Sequence, residues 1–153
     1  MRSAQIPILL AENERNDVFL IRRALAQANL LNPLHVVNDG VLAIQYLEGH
    51  GIYNDRAKYP LPFLLLLDLN MPRKGGFEVL EWVREQPALR FLPTVVLTSS
   101  RDTPDIDRAY ELGANSYLVK PPEAESLAEM LLEISHSLLL PNWKGRFSSP
   151  AAA

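Results

Sequence analysis

The chain has 153 residues, which suits a single domain. It is 48% hydrophobic and 22% charged, as in a soluble globular protein with a full core, and its net charge of −3 leaves no basic stripe for nucleic acid. The absence of cysteine excludes disulfides, thiol catalysis and cysteine-ligated metal. No apolar run reaches the ~18 residues of a membrane span, and Met1 to Gln5 lacks a signal-peptide layout, so a cytoplasmic protein is expected.

Ile6 to Ala11 reads as the first strand, with Pro7 near its start, where proline is tolerated. It runs into the polar cluster Glu12-Asn13-Glu14-Arg15-Asn16-Asp17, where Asn16 or Asp17 suits a helix cap. Val18, Ile21, Leu25 and Ala28 then fall on one helical face, and Asn32-Pro33 ends that helix. Leu34 to Val37 is a short second strand and Asn38-Asp39-Gly40 a turn; Val41, Ile44 and Leu47 mark a second helix. Gly49 to Pro62 is expected to be a surface loop.

Four consecutive leucines, Leu64 to Leu67, then lead from Phe63 into Asp68, the pattern of a strand buried on both faces. Arg73-Lys74-Gly75-Gly76 is a flexible basic turn, and Phe77 to Glu85 a third helix with Val79, Leu80 and Val83 inward. Thr94 to Thr98 is the fourth strand. Thr103 caps a fourth helix with Pro104 at its first position, and Gly113 suits its exit. Ser116 to Lys120 is the fifth strand, and the last helix covers Ala124 to Leu140. This gives a domain over 1–140 and a tail over 141–153, in which Trp143 and Phe147 either dock or stay disordered.

Five strands alternating with five helices predict an α/β fold, a doubly wound parallel sheet with helices on both faces. In such a sheet the strand ends face one crevice. Those ends carry Glu12 and Asn13, Asp68, Thr98 and Lys120. The oxygens suit a hard cation such as Mg²⁺. Asp68 suits a nucleophile toward a phosphoryl group, and Lys120 and Thr98 suit its oxygens as compact charge and hydroxyl donor. The plainer readings are an aspartate starting a turn, a surface lysine and a β-branched strand residue.

Leu66 to Pro72, Val96 to Ser100, Gly113-Ala114 and Tyr117 to Pro121, in that order, resemble the receiver domain of two-component response regulators, from about Ile6 to Leu140. The long loop before the third strand and the Pro72-Arg73-Lys74-Gly75 turn resemble the single-domain regulators that partner phytochrome-type histidine kinases. The resemblance implies a five-stranded sheet of order 2-1-3-4-5, a flavodoxin-like fold. It implies Asp68 as phosphoacceptor, Thr98 and Lys120 as the residues responding to the phosphoryl group, and Thr98 with Tyr117 as the switch; Tyr117 reads equally as a packed aromatic. It implies Mg²⁺ held by Glu12, Asn13, Asp68 and the backbone carbonyl of Asn70, and a cis peptide at Lys120-Pro121.

One position departs from the pattern: Asn13 stands where an acid is the usual metal ligand. Two functions are therefore weighed. One is a stand-alone receiver phosphorylated by a sensor histidine kinase, signalling through a downstream protein partner because nothing after the last helix is long enough for an output domain. The other is a degenerate receiver that binds partners without phosphorylation. An aspartate-based phosphatase is disfavoured, since Asn70 cannot act as a general acid. A homodimer through the fourth helix, fifth strand and fifth helix is expected, with Tyr110, Leu118, Leu127 and Leu131 as its apolar material. His35, His50 and His136 lack metal spacing and read as structural or solvated.

Overall fold

The computed structural model describes residues 6–99, 101–120 and 122–138. Five parallel strands, β1 (Ile8–Ala11), β2 (Leu34–Val37), β3 (Leu64–Asp68), β4 (Thr94–Thr98) and β5 (Ser116–Val119), form one sheet of order β2-β1-β3-β4-β5. The helices are α1 (Arg15–Gln27), α2 (Gly40–Glu48), α3 (Gly76–Glu85), α4 (Thr103–Glu111) and α5 (Ala124–Leu138). Among the described residues no helix is long and apolar enough to cross a membrane.

The leucine run explains the layering. Side chains alternate between the faces of a strand, and here each face meets its own core. Leu9, Leu65, Leu67 and Val96 pack with Leu47 of α2, Val79 and Leu80 of α3 and Ala109 of α4. Ile8, Leu10, Leu64, Leu66, Val95 and Leu97 pack with Ile21 and Leu25 of α1 and with Leu127 and Met130 of α5. A strand apolar at every position is what a two-faced sheet requires. The register pairs Ala11 with Leu67, Asp68 with Leu97 and Thr98 with Val119, so the strand ends meet at one edge.

Several expectations are corrected. Glu14, not Asn16 or Asp17, occupies the N-cap of α1; Asp17 lies in the first helical turn, and its carboxylate is engaged elsewhere. Asp102 rather than Thr103 precedes α4. Asp39 is the N-cap of α2, accepting the Leu42 N–H at 2.8 Å, so residues 38–40 open the helix as well as turn the chain. Leu127 is fully buried beneath α5 and gives nothing to a dimer surface; Leu118 is half-buried, and the Leu131 side chain and the whole 141–153 tail lie outside the described residues.

The segment from Gly49 to Pro62 is a packed substructure, not a simple surface loop. It holds a 3-10 turn at Gly51–Tyr53, and Tyr53 is buried against Tyr46 and Tyr59, with ring centroids 5.0 and 5.1 Å apart. Arg56 donates to the Tyr46 and Leu47 carbonyls at 2.8 and 2.7 Å, tying the segment to the last turn of α2, where the Tyr46 carbonyl also accepts the Gly49 N–H at 3.1 Å. The Tyr46 hydroxyl donates to the Pro60 carbonyl and therefore accepts from Nδ1 of His35, 2.7 Å away. His35 is thus structural, and burial lowers its pKa. His50 is exposed beside Glu48.

Candidate functional site

Strand alternation also sets the polar edge. Continuing β1 from Leu10 to Glu12, β3 from Leu66 to Asp68 and the β5 strand from Leu118 to Lys120 keeps these side chains on the α1/α5 face. Thr98 follows Val96 and falls on the α3/α4 face, as does Tyr117, which is half-buried against that core. The edge therefore carries two groups: the charged residues under α1, and the threonine and tyrosine toward α4.

The charged group centres on Lys120. Its ammonium lies 2.9 Å from Oε1 of Glu12, 2.8 Å from Oδ2 of Asp17 and 3.5 Å from Oδ2 of Asp68. Burial alone would lower the lysine pKa, but hydrogen bonds to Asp17 and Glu12 and the charge of Asp68 outweigh it and raise it. Asp68 is 2% exposed; its Oδ1 accepts the Asn70 N–H at 3.2 Å. Burial first, and the neighbouring Glu12 second, push its pKa up to about 6 against the pull of Lys120. The backbone packs as closely: a Cβ on Gly76 would strike the carbonyl oxygen of Asp68, so only glycine lets α3 start over the end of β3.

Above this cluster opens a crevice of about 500 Å³ lined by Asn13, Glu14, Asn16, Asp17, Leu20, Asp68, Asn70, Ser99 and Lys120. The sequence reading brought Asn13, Asp68, Asn70 and Lys120 together here. It also named Glu12 as a metal ligand, but Glu12 is fully buried off the crevice wall, one oxygen on Lys120 and the other accepting the Glu14 N–H at 3.1 Å. It serves as a counterion to Lys120. Thr98 is fully buried at the end of β4, and Ser99 takes the wall position. The Lys120-Pro121 peptide lies outside the described residues, since position 121 is not described.

Asp17 was missed as a site residue. A helix that starts directly after β1 must hang its first turn over the carboxyl edge, which is the signal that would have found it. The Asp39–Arg73 pair was also missed: Oδ2 of Asp39 accepts from Nε and Nη2 of Arg73 at 2.8 and 2.7 Å, pinning the turn read as flexible, with Arg73 at a φ of 66°. Among the described residues, no three or more His, Asp or Glu side chains are grouped so as to hold a metal ion. Crevice oxygens come from Asn13, Glu14, Asn16, Asp17, Asp68, Asn70 and Ser99, a set in which no three carboxylates are grouped. It nonetheless fits Mg²⁺, which keeps several waters and takes one or two carboxylates.

A doubly wound sheet of this order, with a buried aspartate at the end of its central strand and a lysine closing the neighbouring edge, defines a receiver. The chain belongs to the response regulator receiver domain family, whose model matches residues 8–132. It is similar to response regulator Rcp1 of Synechocystis sp., 37% identical over 124 residues covering 81% of this chain and 82% of Rcp1. Among solved structures it resembles the bacteriophytochrome response regulator RtBRR, with TM-score 0.77, 39% identity and coverage of 85% and 78% of the two chains. It also resembles the phosphorylated cyanobacterial phytochrome response regulator RcpA, with TM-score 0.73, 34% identity and coverage of 89% and 95%. The Mn²⁺-bound form of Rcp1 matches with TM-score 0.71, 35% identity and coverage of 89% and 96%. The expected fold and family are borne out.

Proposed function

We propose that Asp68 accepts a phosphoryl group from the phosphohistidine of a sensor kinase. The observation that supports this most is the placement of Asp68, which is buried on a rigid strand and reaches the crevice beside one lysine. A carboxylate oxygen of Asp68 attacks phosphorus; the P–O bond forms, the P–N bond breaks, and the imidazole leaves with the electron pair and takes a proton from water. The product is an acyl phosphate. With a pKa of about 6, Asp68 is largely ionised at neutral pH, as attack requires. Lys120 balances the charge on the transferred oxygens. Mg²⁺, when bound, neutralises charge on the transferring group; Asp68, Asn13 and the Asn70 carbonyl would hold it.

Thr98 and Tyr117, on the α4 side of the sheet, carry the phosphorylation state to the α4, β5 and α5 surface in this reading. The likeness to RcpA and RtBRR supports a phytochrome-type kinase as the donor, in the cytoplasm, with a protein as the downstream target. A homodimer through the same surface rests on the exposed Tyr110, with Leu127 removed from it; light scattering with and without a phosphoryl mimic tests it. Incubation with Mg²⁺ and a small phosphoryl donor should add one phosphoryl mass to the chain and none to Asp68→Asn. An adduct that persists in the variant refutes the assignment. A phosphorylation-independent binding module is the second reading, favoured by the exposed Asn13 in the place of an acid; it predicts no adduct in either protein.

A further inference from the structure

An ammonium has three protons, and Lys120 spends its two short contacts away from the phosphoacceptor, on Asp17 at 2.8 Å and Glu12 at 2.9 Å. The 3.5 Å contact to Asp68 is long for a charge-assisted hydrogen bond, which runs at about 2.7–2.9 Å. The two holders differ. Glu12 is sealed in the protein, and losing the lysine would leave a buried, unpaired carboxylate. The Asp17 side chain is 25% exposed on the crevice wall, in the first turn of α1. Released, it returns to water and stays beside the positive end of the helix, where a carboxylate is favoured. Of the pair, Asp17 is the one that can let go.

We infer that Asp17 is a positioning residue acting through Lys120: it holds the ammonium back from Asp68 before phosphorylation and yields it to the phosphoryl oxygens afterwards. Breaking the Asp17–Lys120 pair is then part of the free energy of phosphorylation, and position 17 sets how readily the active state is reached. This rests on the reading of Asp68 as the phosphoacceptor.

The test titrates the full chain with the beryllium trifluoride anion in the presence of Mg²⁺, followed by calorimetry, for the unsubstituted protein, Asp17→Asn, Lys120→Gln and the double variant. Asp17→Asn should bind the mimic about tenfold more tightly, the equivalent of one charged contact. Removing a negative charge favours an anion by itself, but that gain does not need the ammonium. The gain should therefore shrink to less than about twofold in the Lys120→Gln background. An equal gain in both backgrounds overturns the inference, as does no gain while the unsubstituted protein binds. Failure of both the unsubstituted protein and Asp17→Asn to bind overturns the phosphoacceptor reading and the inference with it. The side-chain ammonium resonance of Lys120 gives a readout without a lysine variant. It should move on Asp17→Asn in the free protein and coincide in the two proteins once the mimic is bound; a resonance that Asp17→Asn leaves unmoved overturns the inference. Asp17→Glu, which keeps the charge, should restore the weaker affinity.

Discussion

Asp39 and Asp68 are both aspartates at the carboxyl edge, both nearly inaccessible, and their circumstances differ completely. Asp39 has one oxygen on the Leu42 N–H at 2.8 Å and the other on two nitrogens of Arg73 at 2.8 and 2.7 Å. Asp68 accepts the Asn70 N–H at the longer distance of 3.2 Å, has a lysine 3.5 Å away shared with two other carboxylates, and has the Glu12 carboxyl against it. A buried carboxylate with both oxygens held by short, charge-assisted or helix-capping contacts is part of the scaffold. One that opens to a crevice, with a second acid against it and its lysine shared, has the surroundings that the proposed phosphoacceptor role calls for.

The contrast is broken or sharpened by four substitutions. The largest effect belongs to Asp39→Ala. It removes the α2 cap and leaves Arg73 unpaired, which should destabilise the fold by roughly 3 kcal/mol, toward the low end for a broken buried pair because Arg73 is half exposed. Denaturant unfolding measures this, and a midpoint that hardly moves would place Asp39 outside the scaffold.

Asp68→Asn should do the reverse and stabilise the protein. The folded pKa of about 6 lies above the ordinary carboxylate value of 3.8, so the folded state holds the proton more tightly than the unfolded chain. Below about pH 3 the group is largely neutral in both states and adds little penalty; the penalty grows through the window between the two pKa values and is complete above the folded one. The variant should gain up to about 3 kcal/mol at pH 8 and almost nothing near pH 3. Thermal unfolding at both values decides it: a gain independent of pH would mean that charge is not its cause.

Asn13→Asp sharpens the contrast further, adding an acid to the crevice beside Asp68. Mg²⁺ should bind about tenfold more tightly, or roughly 1.4 kcal/mol. The metal-free protein should lose stability and the Asp68 pKa should rise, since a like charge disfavours ionisation. Equal Mg²⁺ affinity by calorimetry would remove Asn13 from the ligand set. The smallest effect belongs to Lys74→Gln, at the exposed pair with Glu78, 3.9 Å apart. A change within about 0.5 kcal/mol is expected there; a larger one would show that even exposed charges in this turn are structural.

The sheet was legible because its information is local: a four-leucine run reads as a two-faced strand, and the residue after it can only lie at the edge. Asp68 and Lys120 were found that way, by asking what stands where each strand stops. The misses share one cause, a partner distant in sequence. Asp17 reads as a helix cap until Lys120, 103 positions away, claims its carboxylate. Glu12, expected as a metal ligand, is paired with the same lysine, a contact the sequence did not suggest. Residues 49–62 read as exposed loop because the tyrosines and histidine that pack there come from β2, α2 and the loop itself. Leu127 looked surplus because the alternation of the facing strands, not α5 alone, decides how many of its leucines the core can take.

The lysine that balances the first strand's acid is 108 positions downstream of it. Contacts of such long range form only after the intervening chain has ordered, and synthesis runs from the N-terminus. A nascent chain that has made β1, α1 and β3 but not yet β5 carries Glu12, Asp17 and Asp68 at one edge with no cation among them. The strands can begin to pair, but their acidic ends repel one another until residue 120 arrives. The site's lysine is thus missing from every translation product that stops short of residue 120, and when it arrives only α5 remains to be laid on the sheet.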